Sequence, residues 1–280
     1  MPTILSLSSQ VARGHVGHSV AVFAWQRLGI EVVALPTILL SNRPDYPHRA
    51  GERIRPEFLS EMLAALDANG WLDEADAVFT GYLPSAAHVA LAAGLVGRLK
   101  AVKAELLYCC DPILGDDPGG LYIAEDAATA IRDTLLPLAD LVTPNRFELE
   151  WLSGVGVRSA ADAVRAARSL ARPMVLATSA PASSGDELTN LLVENAKAWS
   201  AVVGRREAVP HGIGDLVAAL VLGHLLRSRP APEALALATA GIEAVIDASL
   251  GCEELNLIAS QDSWAVPGPW LVTPLDADAP

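Results

Sequence analysis

The stretch HGIGDLVAALVLGHLL, His211 to Leu226, joins a glycine-rich turn to an apolar, helix-forming run. The first amides of a helix lack intrahelical partners and point outward from the positive end of its dipole. Gly212 and Gly214 carry no side chain to obstruct an anion, so amides around Gly212, Ile213 and Gly214 could hold the charge that develops in phosphoryl transfer. Asp215, next in the chain, could accept the proton of an attacking hydroxyl. The same aspartate could equally be an N-cap, a position that favours it.

Other groups invite the same double reading. Asp111 and Asp116 stand in DPILGDDPGG, directly after the apolar run LLYCC. Carboxylates at a strand end can hold Mg²⁺ directly or through its waters; the plainer reading is an Asp-Pro turn and an exposed acidic loop. In TPNRFELEWL, Asn145 and Glu148 have the spacing of a capping box. Glu148 at that helix mouth could also orient a metal-bound water. His15 and His18, three residues apart, could pair on a metal only with a third ligand that is not evident. Gly14 and Gly17 beside them suit a turn or a close backbone approach to a ligand.

These residues need a frame that gathers them. Short apolar runs alternate with longer amphipathic ones, which predicts strands at 3–8, 31–36, 76–81, 105–112, 138–145 and 171–179. Helices are expected near 17–28, 55–70, 85–101, 124–135 and 159–170, then at 214–227 and 231–248. Strands spaced by helices imply a mostly parallel α/β sheet with helices on both faces, a three-layer α/β/α fold. Residues 188–204 read instead as an antiparallel pair around Asn195-Ala196-Lys197. No linker or repeat interrupts the chain, so one domain is expected. In such sheets ligands bind beyond the carboxyl ends of the strands. The segments that follow the predicted strands are polar and glycine-rich, including Thr80-Gly81-Tyr82 and Thr178-Ser179.

Composition limits the function classes. The chain has 280 residues, 51% hydrophobic and 19% charged, with net charge −13. That acidity argues against general binding to nucleic acid or an anionic membrane, though helix amides can still take an anionic substrate. Three cysteines with no repeated spacing make a poor disulfide framework. With no apolar stretch near the ~18 residues of a membrane span, a soluble cytoplasmic protein is expected.

Taken in order, SLSSQVARGHVGH, LLSNRPDY, FTGY, YCCDPILGD, LADLVTPNRFELEWLSG, ATS and GIGDLVAA resemble the landmarks of the ribokinase-like superfamily and, within it, the pyridoxal kinases. The resemblance covers roughly residues 3–250. It implies ATP-dependent phosphorylation of the 5′-hydroxymethyl group of pyridoxal, pyridoxine or pyridoxamine, with Mg²⁺, a homodimer, and the need for a monovalent cation left open. It places Asp215 as the base and Gly212, Ile213 and Gly214 at the anion hole. Ser9, Val16 and Tyr82 fall on the vitamin pocket, under a flap at 37–48 that contains Pro44. Asp111 and Glu148 fall on Mg²⁺-related and phosphate-side positions, with Asp116 in the same loop as Asp111. Asn145, Thr178 and Ser179 fall on the nucleotide side. Three residues depart from the family pattern: Ile213 and Pro44 where threonine is common, and His18 where asparagine is. These departures keep two alternatives open, a kinase for another hydroxymethyl heterocycle such as a hydroxymethylpyrimidine, or a weakly catalytic binding homologue.

Overall fold

The protein is described by a computed structural model over residues 1–275. In chain order the elements are β1 (Thr3–Val11), α1 (His18–Arg27), β2 (Glu31–Leu40), β3 (Gly51–Arg53), α2 (Pro56–Ala68), β4 (Ala77–Thr80), α3 (Ala86–Val102), β5 (Leu107–Cys110), β6 (Gly115–Asp116), β7 (Gly120–Leu121), α4 (Glu125–Ala130), β8 (Leu141–Val142), α5 (Arg146–Ser153), α6 (Ala160–Ser169), β9 (Met174–Pro181), β10 (Glu187–Glu194), β11 (Lys197–Gly204), α7 (Ile213–Leu226), α8 (Ala231–Ala248), α9 (Gln261–Ala265) and β12 (Thr273–Leu275).

The main sheet runs β12-β11-β10-β9-β8-β5-β4-β1-β2-β3. Its centre, from β9 to β2, is parallel, and antiparallel strands extend both sides. The central strands are apolar on both faces because both faces are covered; all four residues of β4 are buried. One core joins the sheet to α2–α6, and the other joins it to α1, α7, α8 and α9. The expected three-layer α/β architecture is what forms. Leu216 to Leu222 of α7 are buried all round, and each large side chain there contributes about 1.5–3 kcal/mol by burial.

The differences from expectation are local. β1 and β2 run to Val11 and Leu40 by pairing with each other, past a bulge where Ser8 faces Pro36, Ser9 faces Ile38, and Thr37 is the extra residue. Pro36 has no N–H to give the ladder, and the bulge lets the Thr37 hydroxyl donate to Tyr82 O at 2.6 Å. A second bulge sets Thr178 and Ser179 of β9 against the single Asn190 of β10. The helix expected over 124–135 ends at Ala130 and continues as a π turn through Leu135. Glu194 pairs with Lys197, so the β10–β11 turn is Asn195-Ala196 alone. After Ser260, where no pattern is legible in the sequence, Trp264 is fully buried on α9 and β12 pairs with β11. Among the described residues no helix is long and apolar enough to cross a membrane. Cys109 and Cys110 are buried and Cys252 is exposed, all three as free thiols.

Candidate active site

Gly212 occupies the cap position of α7 with φ 106°, and no side chain caps this helix. A Cβ there would lie 1.9 Å from the carbonyl oxygen of His15, so only glycine fits both the turn and the neighbouring loop. The first bond of the helix runs from Leu216 N–H to Gly212 O at 2.9 Å. The amides of Ile213, Gly214 and Asp215 therefore precede the ladder and are the outward-facing ones. Around Gly214 an added Cβ would meet nothing within 4 Å, which leaves space for a phosphoryl group. Asp215 is not the cap: it stands on the first turn, half-buried. Burial pushes its pKa up to about 6, against the lowering effects of the Gly17 N–H and of His211.

Two more carboxylates face the same edge. Asp111 follows β5 directly, is buried, and accepts a hydrogen bond from the Thr143 hydroxyl at 2.9 Å. Burial holds its pKa well above the usual carboxylate range, and the charges of Glu148 and Asp215 push the same way. Glu148 caps α5 reciprocally with Asn145, as the spacing predicts: Asn145 Oδ1 accepts from Glu148 N at 3.0 Å, and Glu148 Oε2 from Asn145 N at 2.9 Å. Its other oxygen accepts from Leu114 N at 2.8 Å. Even so, burial lifts Glu148 to about 7. Asp111 and Glu148, both buried, and the half-buried Asp215 form an acidic set whose charges act on one another. Among the described residues no three His, Cys, Asp or Glu side chains enclose a metal position. Asp111 and Glu148 offer oxygen ligands of the kind Mg²⁺ takes while it keeps several waters. Asp116 lies apart, on the β6–β7 hairpin, with its carboxylate toward Gly119 and Tyr122.

Asn145, Thr178 and Ser179 line a cavity of about 590 Å³ that also reaches Asp116, Gly212, Ile213 and Gly214. Asn145 Nδ2 donates to Gly115 O at 2.8 Å, tying the hairpin to α5. Ser179 sits at φ 56°, its N–H directed at Asn190 Oδ1 at 3.4 Å. Sequence reasoning missed the arginines of this cavity, Arg146, Arg205 and Arg206; Arg146 pairs with Asp117 and Glu150, and Arg206 with Glu243 and Asp247. Arg146 lies inside the TPNRFE block, so its place was legible; Arg205 and Arg206 follow a strand whose sheet position only the fold reveals. A second cavity, about 230 Å³ beneath Leu72, Leu99 and Val102, adjoins the starts of β4 and β5, the amino edge of the sheet.

Ser9, Val16 and Tyr82 are all half-buried. Ser9 packs so closely on Gly17 that a Cβ at Gly17 would lie 2.3 Å from Ser9 Oγ. Tyr82 is fixed from both sides, its N–H on Ser8 Oγ at 3.2 Å and its carbonyl on Thr37. Residues 37–40 of the expected flap belong to β2, and 41–50 project beyond it to β3. Pro44 is exposed in that projection, and its carbonyl accepts from Arg49 Nη1 at 2.6 Å. His18 turns inward with Nε2 2.8 Å from Ser6 Oγ, and burial drops its pKa to about 4.

A carboxylate on the first turn of an uncapped helix, outward amides beside it and two buried carboxylates nearby have the chemistry that phosphoryl transfer from a nucleotide calls for. Residues 34–258 match the model of the phosphomethylpyrimidine kinase family. The chain is 38% identical to a pyridoxal kinase of Deinococcus radiodurans, covering 94% of this chain and 93% of that one. It is 35% identical to a pyridoxine/pyridoxal/pyridoxamine kinase of Bordetella bronchiseptica, over 91% and 92%. The pyridoxal kinase of Leishmania donovani, solved with ADP and pyridoxamine, superposes with a TM-score of 0.93 at 31% identity, covering 98% of this chain and 100% of the other. The fold is ribokinase-like. The chain belongs to the pyridoxal kinase family.

Proposed function

We infer that the protein transfers the γ-phosphoryl group of ATP to the 5′-hydroxymethyl group of a B6 vitamer, giving pyridoxal 5′-phosphate from pyridoxal. The observation that carries this reading is Asp215, a carboxylate with pKa raised to about 6 beside the outward amides of α7. ATP lies in the arginine-lined cavity, against Asn145, Thr178 and Ser179. The vitamin lies against Ser9, Val16 and Tyr82, with the ring of Pro44 above it. Asp215 accepts the hydroxyl proton as the oxygen attacks, and the amides of Ile213, Gly214 and Asp215 stabilise the equatorial oxygens. Asp111 and Glu148 would hold Mg²⁺ through its waters, with Asp116 at the cavity rim. That ion would neutralise charge on the β- and γ-phosphates.

The expected single kinase domain over residues 1–280, with a flap near 37–48, is supported over residues 1–275 by the unbroken main sheet; residues 276–280 lie outside the described residues. A homodimer through the flap side is part of the same proposal; Leu39 and Phe58, 44% and 46% exposed, flank β3 in sequence and offer apolar area there. So is a cytoplasmic location, where ATP and reduced thiols are found.

The test is steady-state turnover of purified protein with ATP and Mg²⁺ on pyridoxal, pyridoxine, pyridoxamine and hydroxymethylpyrimidine. Turnover of pyridoxal above the others supports the proposal. The family model matched over 34–258 makes hydroxymethylpyrimidine the informative competitor, and its preference would replace the vitamin reading. Vitamin binding without turnover would make Ile213 the mark of a binding homologue.

A further inference from the structure

Glu254 lies beyond α8 and meets two loops of the substrate side. Its Oε1 accepts from the Tyr46 hydroxyl at 3.0 Å, and its Oε2 from Arg43 Nη1 at 3.3 Å. The same carboxylate presses on the β1–α1 loop, where a Cβ at Gly14 would lie 3.0 Å from Oε2. Arg43 is itself only 7% exposed. It donates to Glu253 O at 3.0 Å and to both oxygens of Asp45 at 3.1 and 3.2 Å, and stacks 4.9 Å from the Tyr46 ring centre. Leu255, the next residue, reaches the Gly212 turn, with its Cδ1 3.1 Å from where a Cβ would be. One short segment after the last long helix thus contacts the flap, the 14–15 loop and the mouth of α7.

Chain neighbours show the consequence. Pro44 follows Arg43, and Val16 follows the Gly14-His15 pair. Both are the proposed walls of the vitamin pocket. We propose that Glu254 is a positioning residue: by clamping Arg43 and Tyr46 against the Gly14 turn, it fixes the spacing of Pro44 and Val16 and thereby the affinity for the vitamin. This rests on the vitamin-kinase reading for the identity of the ligand, but the clamp itself does not. None of Tyr46, Arg43 and Gly14, which Glu254 contacts, lines the nucleotide cavity; its links to that cavity are indirect, through Leu255 to Gly212 and through Arg43 and Asp45 to His211, 3.9 Å from Asp45.

The experiment uses the full chain with Glu254→Gln, in which Arg43 keeps Asp45 and Glu253 O as partners. KM for pyridoxal is expected to rise about tenfold, a change of roughly 1.4 kcal/mol, with kcat and the KM for ATP within about twofold. Amide hydrogen exchange of residues 41–50, measured without substrate, is expected to quicken, with α7 unaffected. Tyr46→Phe, which removes one hydroxyl at a half-buried site, serves if Glu254→Gln does not fold; the same split is expected at about threefold. Equal changes in both KM values, or a fall in kcat alone, would overturn the proposal, as would unchanged exchange in 41–50. Wild-type inactivity on every vitamer would sink the functional reading instead, and the exchange measurement would still decide the clamp.

Discussion

The carbonyl oxygen of His15 stands 1.9 Å from the place a Cβ would take at Gly212. The loop after β1 and the mouth of α7, almost two hundred residues apart, are thereby held at one fixed separation. Gly212→Ala must break that contact and also hold alanine at φ 106°. A loss of about 2–4 kcal/mol and of most turnover is expected, read by urea melts and initial rates. Gly214→Ala meets open space, so its melting curve should stay near wild type while kcat falls. Equal loss of stability in the two variants would contradict this account of the turn.

Asp215→Asn should lower kcat by about 10²–10⁴-fold, with the Kd for ATP unchanged by calorimetry. Turnover at the wild-type rate would remove Asp215 from its role.

The pKa of Asp215, raised to about 6, has a kinetic signature. A base must be deprotonated to act, so kcat/KM for the vitamin should climb about tenfold per pH unit below 6 and level off above it. A flat profile between pH 5 and 7 would point to a different base.

Glu148 makes an opposite prediction for stability. Its folded pKa of about 7 exceeds its ordinary value of 4.5, so the folded state holds its proton more tightly than the unfolded. The stabilisation is complete below about 4.5 and is lost as pH rises toward 7, on the order of 3 kcal/mol. Urea midpoints of the ligand-free protein should fall between pH 5 and 7.5, and Glu148→Gln should flatten that slope. Mg²⁺ with nucleotide, which favours the charged carboxylate, should recover part of the loss at pH 7.5.

Ile213→Thr tests the departure from the family pattern. Ile213 lines the cavity and also packs partly on the α7 core. A small loss of melting temperature is expected, together with a few-fold gain in kcat from a hydroxyl near the phosphates. A gain in stability with no change in kcat would show that Ile213 serves packing alone.

The features legible in the sequence are those fixed by near neighbours. Asn145 and Glu148 form the capping box their spacing predicts, and the apolar runs become the parallel strands. Asp215 was half legible: its helix was evident, but that Gly212 holds the cap, freeing Asp215, depends on the distant His15. Both bulges beside the site, at Thr37 and at Thr178-Ser179, come from cross-strand register, which a single strand's pattern does not carry. Arg43, Glu254 and Thr143 bind across 211, 211 and 32 positions of chain, and no local spacing marks such pairs.

The strand β3 is both the return leg of the flap and the last strand beside β2. Were the whole projection to swing away as one piece, the hydrogen-bonding edge of β2 from Ile38 to Leu40 would be bared, an invitation to association with other chains. The travel of the flap is therefore leashed at both ends by the sheet. Any rearrangement of the projection that leaves this edge paired is confined to residues 41–50, a span of ten residues in a fixed frame.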